Sequence, residues 1–165
     1  MYSDHEMVRQ AATEAMCNMV PHPEMMEHLS KPDNLRVWIA FALGYEDNFA
    51  CARAAVGCLA MACPDPEIAR SLVQCKNFRD MTRSLLECGQ VELMHRALAL
   101  IAGLIEHGGD CREAVVATGA GPFCDAYVAS YQDGTKLDEL NFTPAEHASF
   151  GATLNLAAEV ARLLR

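Results

Sequence analysis

The sequence predicts an all-α fold in which helical repeats stack into a right-handed α-solenoid. Two observations predict it: residues that favour helices outweigh those that favour strands, and one helical segment recurs along the chain. Alanine, leucine and methionine are abundant, whereas valine, isoleucine and threonine are scarce. The chain has 165 residues, of which 52% are hydrophobic, so it is long enough to bury the core of one globular domain.

The recurring segment is AATEAMCNMV, which begins at Ala11. It aligns with AAVGCLAMAC from Ala54, with RALALIAGLI from Arg96 and more weakly with GATLNLAAEV from Gly151. Equivalent alanines in these copies are separated by 43, 42 and 55 residues. A spacing just above forty residues is the period of armadillo and HEAT repeats, and small residues let neighbouring helices of such a stack approach closely.

The segments between the copies contain breaks at similar places. After Pro21 the sequence predicts a short helix over about 23–29, a second over about 35–43 that ends at Gly44, and a long one over about 47–62. Short, medium and long helices in turn are the three-helix pattern of an armadillo repeat. About ten helices in three to four repeats fit the length of the chain.

Two later helices begin with capping signals. In DPEIARSLVQC, Asp65 is the predicted N-cap and Pro66 the first helical residue. In TPAE, Thr143 is the predicted N-cap and Glu146 reaches back to it, which makes a capping box. Between them, NFRDMTRSLLECG ends at Gly89 and is followed by the long segment VELMHRALALIAGLIEH.

The third repeat departs from the others. Asp110 is the predicted cap of CREAVVAT, and Gly119 and Gly121 are expected to break the chain before PFCDAYVASYQ. The segment DGTKLDELNF, residues 133–142, is expected to be an inserted surface loop that lengthens the third step. We therefore expect a single solenoid segment cut from a longer protein, with a partial first repeat at 1–20 and repeats at about 21–62, 63–107 and 108–165.

Charge and composition exclude several classes of partner. The net charge is −9 and no basic stripe with interleaved aromatic residues is present, so nucleic acid is not expected to bind. The longest apolar runs, VWIAFALGY and ALALIAGLI, are about half the length that crosses a bilayer, and MYSDHEMVRQ has no signal-peptide pattern. Eight cysteines without Cys-x-x-Cys spacing are predicted to be reduced packing residues of a cytoplasmic protein, with no metal and no cofactor.

The first two copies of the repeat carry a family resemblance. DHEMVRQAATEAMCNMV, which begins at Asp4, and ACARAAVGCLAMAC, which begins at Ala50, resemble the end of a UCS domain, the armadillo-repeat domain of myosin-directed co-chaperones. The likeness continues more loosely through VELMHRALALIAGLIEH and covers about three-quarters of the chain. It implies the C-terminal part of a chaperone that binds the myosin motor domain and assists its folding, protection or assembly.

The same family recruits a heat-shock chaperone through an N-terminal tetratricopeptide domain, and nothing in this sequence resembles that domain. A heat-shock partner is therefore expected only through a domain that this chain lacks. The alternative interpretation is an armadillo-repeat scaffold that joins other protein partners without chaperone activity. The sequence alone separates these two hypotheses poorly.

The candidate binding residues are polar positions on the long third helices. Armadillo proteins that bind extended peptides carry an asparagine on each third helix, but the equivalent positions here are Asn18, Met61, Gly103 and Ala158. A repeated backbone clamp is thus not expected, and the partner is expected to present a folded or partly folded surface. The alternative is a solvated concave face on which Met61 only packs. The predicted partner-binding residues are Gln10, Glu14, Asn18, Arg53, Met61 and His95.

An enzyme is not expected. His107 and Cys111 are separated by two glycines that break the helix needed to align them, and the glycines of GAG follow a helix instead of a strand. The enzyme alternative would use a nucleophilic cysteine, such as an exposed Cys51 near a helix start. Trp38, the only tryptophan, is expected in the core.

Overall fold

The computed structural model describes residues 3–131 and 143–165, and all the regular structure in these ranges is helical. The predicted all-α class is confirmed. The predicted insertion at 133–142 lies outside the described residues. The helices of the described ranges are α1 (Glu6–Asn18), α2 (Pro23–Ser30), α3 (Pro32–Leu43), α4 (Phe49–Ala62), α5 (Pro66–Val73), α6 (Phe78–Glu87), α7 (Val91–Glu106), α8 (Gly109–Thr118), α9 (Ala120–Ser130) and α10 (Pro144–Leu164).

The starts of α5 and α10 are fixed by the predicted caps. The Oδ1 atom of Asp65 accepts hydrogen bonds from the backbone N–H groups of Glu67 at 2.8 Å and Ile68 at 3.0 Å. At α10, Thr143 Oγ1 accepts from the backbone N–H of Glu146 at 3.3 Å, and the carboxylate of Glu146 accepts from the backbone N–H of Thr143 at 2.9 Å. These bonds pair donors that the first helical turn leaves without an internal acceptor.

Three predicted boundaries differ from the structure. Gly108, at φ 64°, precedes α8, so Asp110 lies in the first turn of that helix and does not cap it. Gly119, at φ 84°, separates α8 from α9 as predicted, whereas Gly121 lies inside α9. Helix α3 begins at Pro32, earlier than predicted, because proline is well tolerated at the first helical position.

The helices contact one another in three rows. Each of α1, α4 and α7 packs against the next long helix, so that α1, α4, α7 and α10 lie side by side in chain order. Helices α3, α6 and α9 form a second such series, and α2, α5 and α8 a third. Each long helix after the first also packs on the medium helix that precedes it, which joins the first two rows. The row of long helices carries the predicted binding residues.

The core lies between these rows and holds the tryptophan and most of the cysteines. Trp38 is fully buried, as predicted. All eight cysteines are free and seven are buried, with Cys88 partly exposed. Cys51 is only 4% exposed, so the exposed Cys51 of the enzyme alternative is wrong. Burial raises the pKa of Cys63 to about 11 and that of Cys124 to about 12, as expected for thiols in an apolar core.

Candidate partner-binding face

The six predicted binding residues lie on three neighbouring helices. Helix α1 supplies Gln10, Glu14 and Asn18, helix α4 supplies Arg53 and Met61, and helix α7 supplies His95. All six are partly or fully exposed in the structure. Because α4 packs between α1 and α7, the three sets share one surface, which we call the binding face.

A chain of polar contacts crosses the binding face from α1 to α7. The amide of Gln10 donates to Glu14 Oε1 at 3.4 Å, and the same oxygen lies 3.5 Å from Nη2 of Arg53. The other terminal nitrogen of Arg53 lies 3.6 Å from Oε1 of Glu92, which is 3.5 Å from Nη2 of Arg96. These pairs are long and about 40% exposed, so each contributes at most about 1 kcal/mol.

Glu92 and Arg96 were not among the binding residues predicted from the sequence. The repeat gave no signal for Arg96, because the step between the second and third copies is 42 residues and the equivalent of Arg53 is therefore His95. It gave none for Glu92 either, since the equivalent position in the second copy is Ala50. The role of Glu92 comes only from the packing of α4 on α7, which brings Arg53 and Arg96 to the same carboxylate.

Arg96 lies across α4 at a glycine. A Cβ atom at Gly57 would clash with Nη1 of Arg96, and its next neighbour would be Cys17 Sγ at 3.7 Å. The missing side chain at Gly57 therefore makes the space that the guanidinium occupies. Arg96 lines two concave regions. One is a cavity of about 260 Å³ that Asn18 and Arg53 also line, which we call the α1/α4 cavity, and the other is larger.

The larger region is a groove of about 410 Å³ between α4 and α7 that reaches the start of α10, and we call it the α4/α7 groove. Small residues line much of it: Gly57 and Ala60 from α4 and Ala99 from α7. Met61 is 47% exposed and lines the groove, so about half of its surface is available for contact. His95 also lines the groove, which thus combines an apolar floor with a polar wall.

Helix α10 borders the groove through Ser149 and contacts His95. The Nδ1 atom of His95 lies 3.2 Å from the hydroxyl oxygen of Thr153, which is fully buried. Ring contacts place this part of α10 on α9, because the Phe150 ring lies 4.9 Å from that of Tyr131 and 6.1 Å from that of Tyr127. The sequence analysis did not identify Thr153 as part of the binding face, because its contact joins residues 58 positions apart.

Gly103 and Asn18 belong to the expected asparagine column and have different surroundings. A Cβ atom at Gly103 would lie 2.6 Å from Sγ of Cys63, so this glycine permits close packing of α4 on α7. The imidazole of His107 is already hydrogen-bonded within the chain, because its Nε2 donates to the backbone carbonyl oxygen of Cys63 at 2.7 Å. Asn18 is exposed at the end of α1 and lines the α1/α4 cavity.

Other kinds of site find no support in the described ranges. Within residues 3–131 and 143–165, no three His, Cys, Asp or Glu side chains are grouped so that they could hold a metal ion. No helix of those ranges has both the length and the apolar composition that crossing a membrane requires.

The described residues thus form an all-helical chain whose row of long helices carries a groove with both polar and apolar lining. No family model matches it. The chain is 33% identical over 112 residues to Protein unc-45 homolog B of Homo sapiens, a match that covers 64% of this chain and 12% of that protein. Protein unc-45 homolog B of Danio rerio is 28% identical over 138 residues, which cover 82% of this chain and 15% of that protein. The chain is thus UNC-45-like over part of its length and spans about an eighth of the length of these curated relatives.

Proposed function

We propose that the chain is an armadillo-type, right-handed α-solenoid segment that binds a protein partner along its row of long helices. The side-by-side contacts of α1, α4, α7 and α10 support this arrangement. So does the fact that the short and medium helices form their own rows in the same order. The repeats are those predicted from the sequence, a partial one at 1–20 followed by 21–62, 63–107 and 108–165.

The partner in this proposal is the myosin motor domain, held as the client of a cytoplasmic chaperone. The support is the partial similarity to the UNC-45 proteins together with the UCS-like segments at the start of the chain. A heat-shock chaperone would join through a domain that lies outside this chain. Binding of this kind needs no covalent chemistry and no cofactor.

One observation carries the proposal: the binding face joins weak, exchangeable ion pairs to an apolar groove. The pairs of Arg53 with Glu14 and Glu92 are long and partly exposed, so a client side chain can replace either carboxylate at small cost. Beside them, the exposed thioether of Met61 can adapt to apolar groups of different shape. Such a surface suits a partly folded protein better than it suits one defined peptide.

The test is a thermal aggregation assay of the myosin motor domain with and without the chain at equal molar ratio. We expect the chain to suppress aggregation, and the triple variant Asn18→Ala, Arg53→Gln and His95→Phe to lose most of that effect. The matched control is Arg83→Gln, because Arg83 pairs with Glu87 at 4.0 Å on α6, away from the binding face.

Two outcomes oppose the proposal in different ways. If the triple variant and Arg83→Gln behave alike, the client surface is not the binding face. If neither this chain nor a longer one with its upstream repeats protects the motor domain, the chaperone function is wrong. The scaffold hypothesis then takes its place.

A further inference from the structure

The contacts of Thr153 determine which nitrogen of His95 carries the proton. The hydroxyl of Thr153 lies 2.9 Å from the backbone carbonyl of Ser149, and a carbonyl oxygen only accepts hydrogen bonds. The hydroxyl lies closer to this carbonyl than to Nδ1 of His95, which is 3.2 Å away, and the shorter contact assigns the hydroxyl proton to Ser149. The hydroxyl oxygen then accepts a hydrogen bond from Nδ1 of His95. In the neutral imidazole Nδ1 then holds the proton, and Nε2 is left as an acceptor.

A second histidine provides an internal contrast. Nε2 of His107 lies 2.7 Å from the backbone carbonyl oxygen of Cys63, so this nitrogen must carry the proton. On this assignment His95 and His107 are opposite tautomers. The contact of each ring with its neighbour fixes the tautomer, since an unconstrained imidazole exchanges between the two forms.

The free acceptor of His95 belongs to a residue that lines the α4/α7 groove. Among the residues that the structure describes, no hydrogen bond reaches Nε2 of His95. The groove also contains the small side chains of Ala60 and Ala99 and the exposed Met61. A group that enters the groove would thus contact apolar atoms and meet the Nε2 acceptor of His95 beside the carboxylate of Glu92.

We propose that the α4/α7 groove takes an apolar side chain of the protein partner together with an adjacent N–H or O–H donor, and that Thr153 is the positioning residue that keeps His95 as its acceptor. An apolar group fits the floor of small residues, and an acceptor left unpaired on binding would weaken the complex. The donor requirement follows because the other nitrogen of His95 is committed to Thr153. This inference rests on the proposed function for the identity of the partner.

The first experiment needs no partner. Ring ¹⁵N–¹H correlation spectra of the whole chain, recorded at a pH where the imidazoles are neutral, report the tautomer of each histidine. We expect His95 in the Nδ1–H form and His107 in the Nε2–H form. Thr153→Val should shift His95 towards the Nε2–H form, whereas Thr153→Ser should keep it, because serine retains the hydroxyl.

A matched control separates this role from a general packing role. Thr82 is also buried and its hydroxyl also bonds a carbonyl one turn earlier, that of Phe78 at 2.9 Å, but no histidine bonds it. Thr82→Val should leave the His95 signals unchanged. If Thr153→Val also leaves them unchanged, or if the unaltered chain shows His95 in the Nε2–H form, the positioning role is refuted.

The second experiment measures binding of the myosin motor domain by calorimetry with the same variants. Thr153→Val should weaken binding roughly fivefold, the effect of one lost neutral hydrogen bond, and Thr153→Ser should restore it. His95→Phe, which keeps the ring but removes the acceptor, should weaken binding at least as much, and Thr82→Val should not change it. A tautomer shift without any change in affinity would overturn the acceptor role of His95. If the unaltered chain does not bind, the α4/α7 groove does not take this partner and the groove proposal is refuted, while the spectra still decide the role of Thr153.

Discussion

Two glycines in the long helices should respond in opposite ways to the same substitution. Gly57 and Gly103 both lie inside helices and both face a close neighbour on the adjacent helix. The neighbour of Gly57 is the tip of the Arg96 side chain, which is partly exposed and can move. The neighbour of Gly103 is the sulfur of Cys63, which is only 1% exposed and belongs to a short side chain in the core.

The magnitudes follow from these surroundings. Glycine inside a helix costs about 0.5–1 kcal/mol relative to alanine. Gly57→Ala recovers that amount and loses only the exposed pair of Arg96 with Glu92, about 0.5 kcal/mol, so the free energy of unfolding should stay constant or rise slightly. Gly103→Ala forces a methyl group to within 2.6 Å of a buried sulfur, and such overpacking typically costs about 1–3 kcal/mol.

Thermal unfolding followed by circular dichroism measures the difference. For a chain of this size 1 kcal/mol shifts the midpoint by about 2–4 °C, so Gly103→Ala should unfold several degrees below Gly57→Ala. A double-mutant cycle supplies the control, because Gly57→Ala made in an Arg96→Ala background should recover the full gain of the helix. If Gly57→Ala destabilises the chain as much as Gly103→Ala does, then the Arg96 side chain does not move aside. The mobility that we assign to Arg96 on the binding face is then wrong.

Three further predictions concern the cap, the thiols and the core. Thr143→Ala should lower the free energy of unfolding by about 1 kcal/mol. The loss should shrink in acid, because hydrogen bonds from Thr143 lower the pKa of Glu146 and the Glu146 carboxylate stabilises the fold only while it is ionised. Urea titrations at several pH values measure the loss. Alkylation followed by mass spectrometry should label Cys88 before the other cysteines, because it is the least buried of them. Its labelling should still be slow, because burial raises its pKa. A buried thiol that reacts much faster than Cys88 would revive the enzyme alternative. Trp38→Ala should lower the free energy of unfolding by roughly 3–5 kcal/mol, and Trp38→Phe should lower it less. The reason is that the buried Nε1–H of Trp38 has no partner among the described residues, and phenylalanine removes this unpaired donor. Equal losses in denaturant titrations would contradict this.

The fold was largely predictable because its signals are local. Asp65 and Thr143 each precede a proline at the first helical position, and both cap their helices in the structure. Asp110 failed as a cap because it is preceded by two glycines, and Gly108 at φ 64° begins the helix before the aspartate can do so. A capping preference therefore predicts the start of a helix only where the backbone before it is not already turned by glycine.

The binding face was less predictable because most of its contacts join different helices. The repeat spacing placed Gln10, Arg53 and His95 on one surface, but it gave no sign that Glu92 would serve two arginines. It also gave no sign of the bond between His95 and Thr153, which depends on how α10 lies on α7. Periodicity identifies which face of a helix is shared, whereas side-chain partners follow from the depth and angle of packing.

The charges of the binding face limit what can select a partner there. The chain as a whole carries a net charge of −9, yet along the polar chain two arginines lie beside two glutamates and the local charge balances. Long-range attraction therefore contributes little at this surface, because balanced charges give a weak field beyond the Debye length. In the proposed complex, selection would come from contact, namely the shape of the α4/α7 groove and the acceptor that Thr153 leaves on His95. A partner chosen by shape and one hydrogen bond can differ widely in sequence, as clients of a chaperone do.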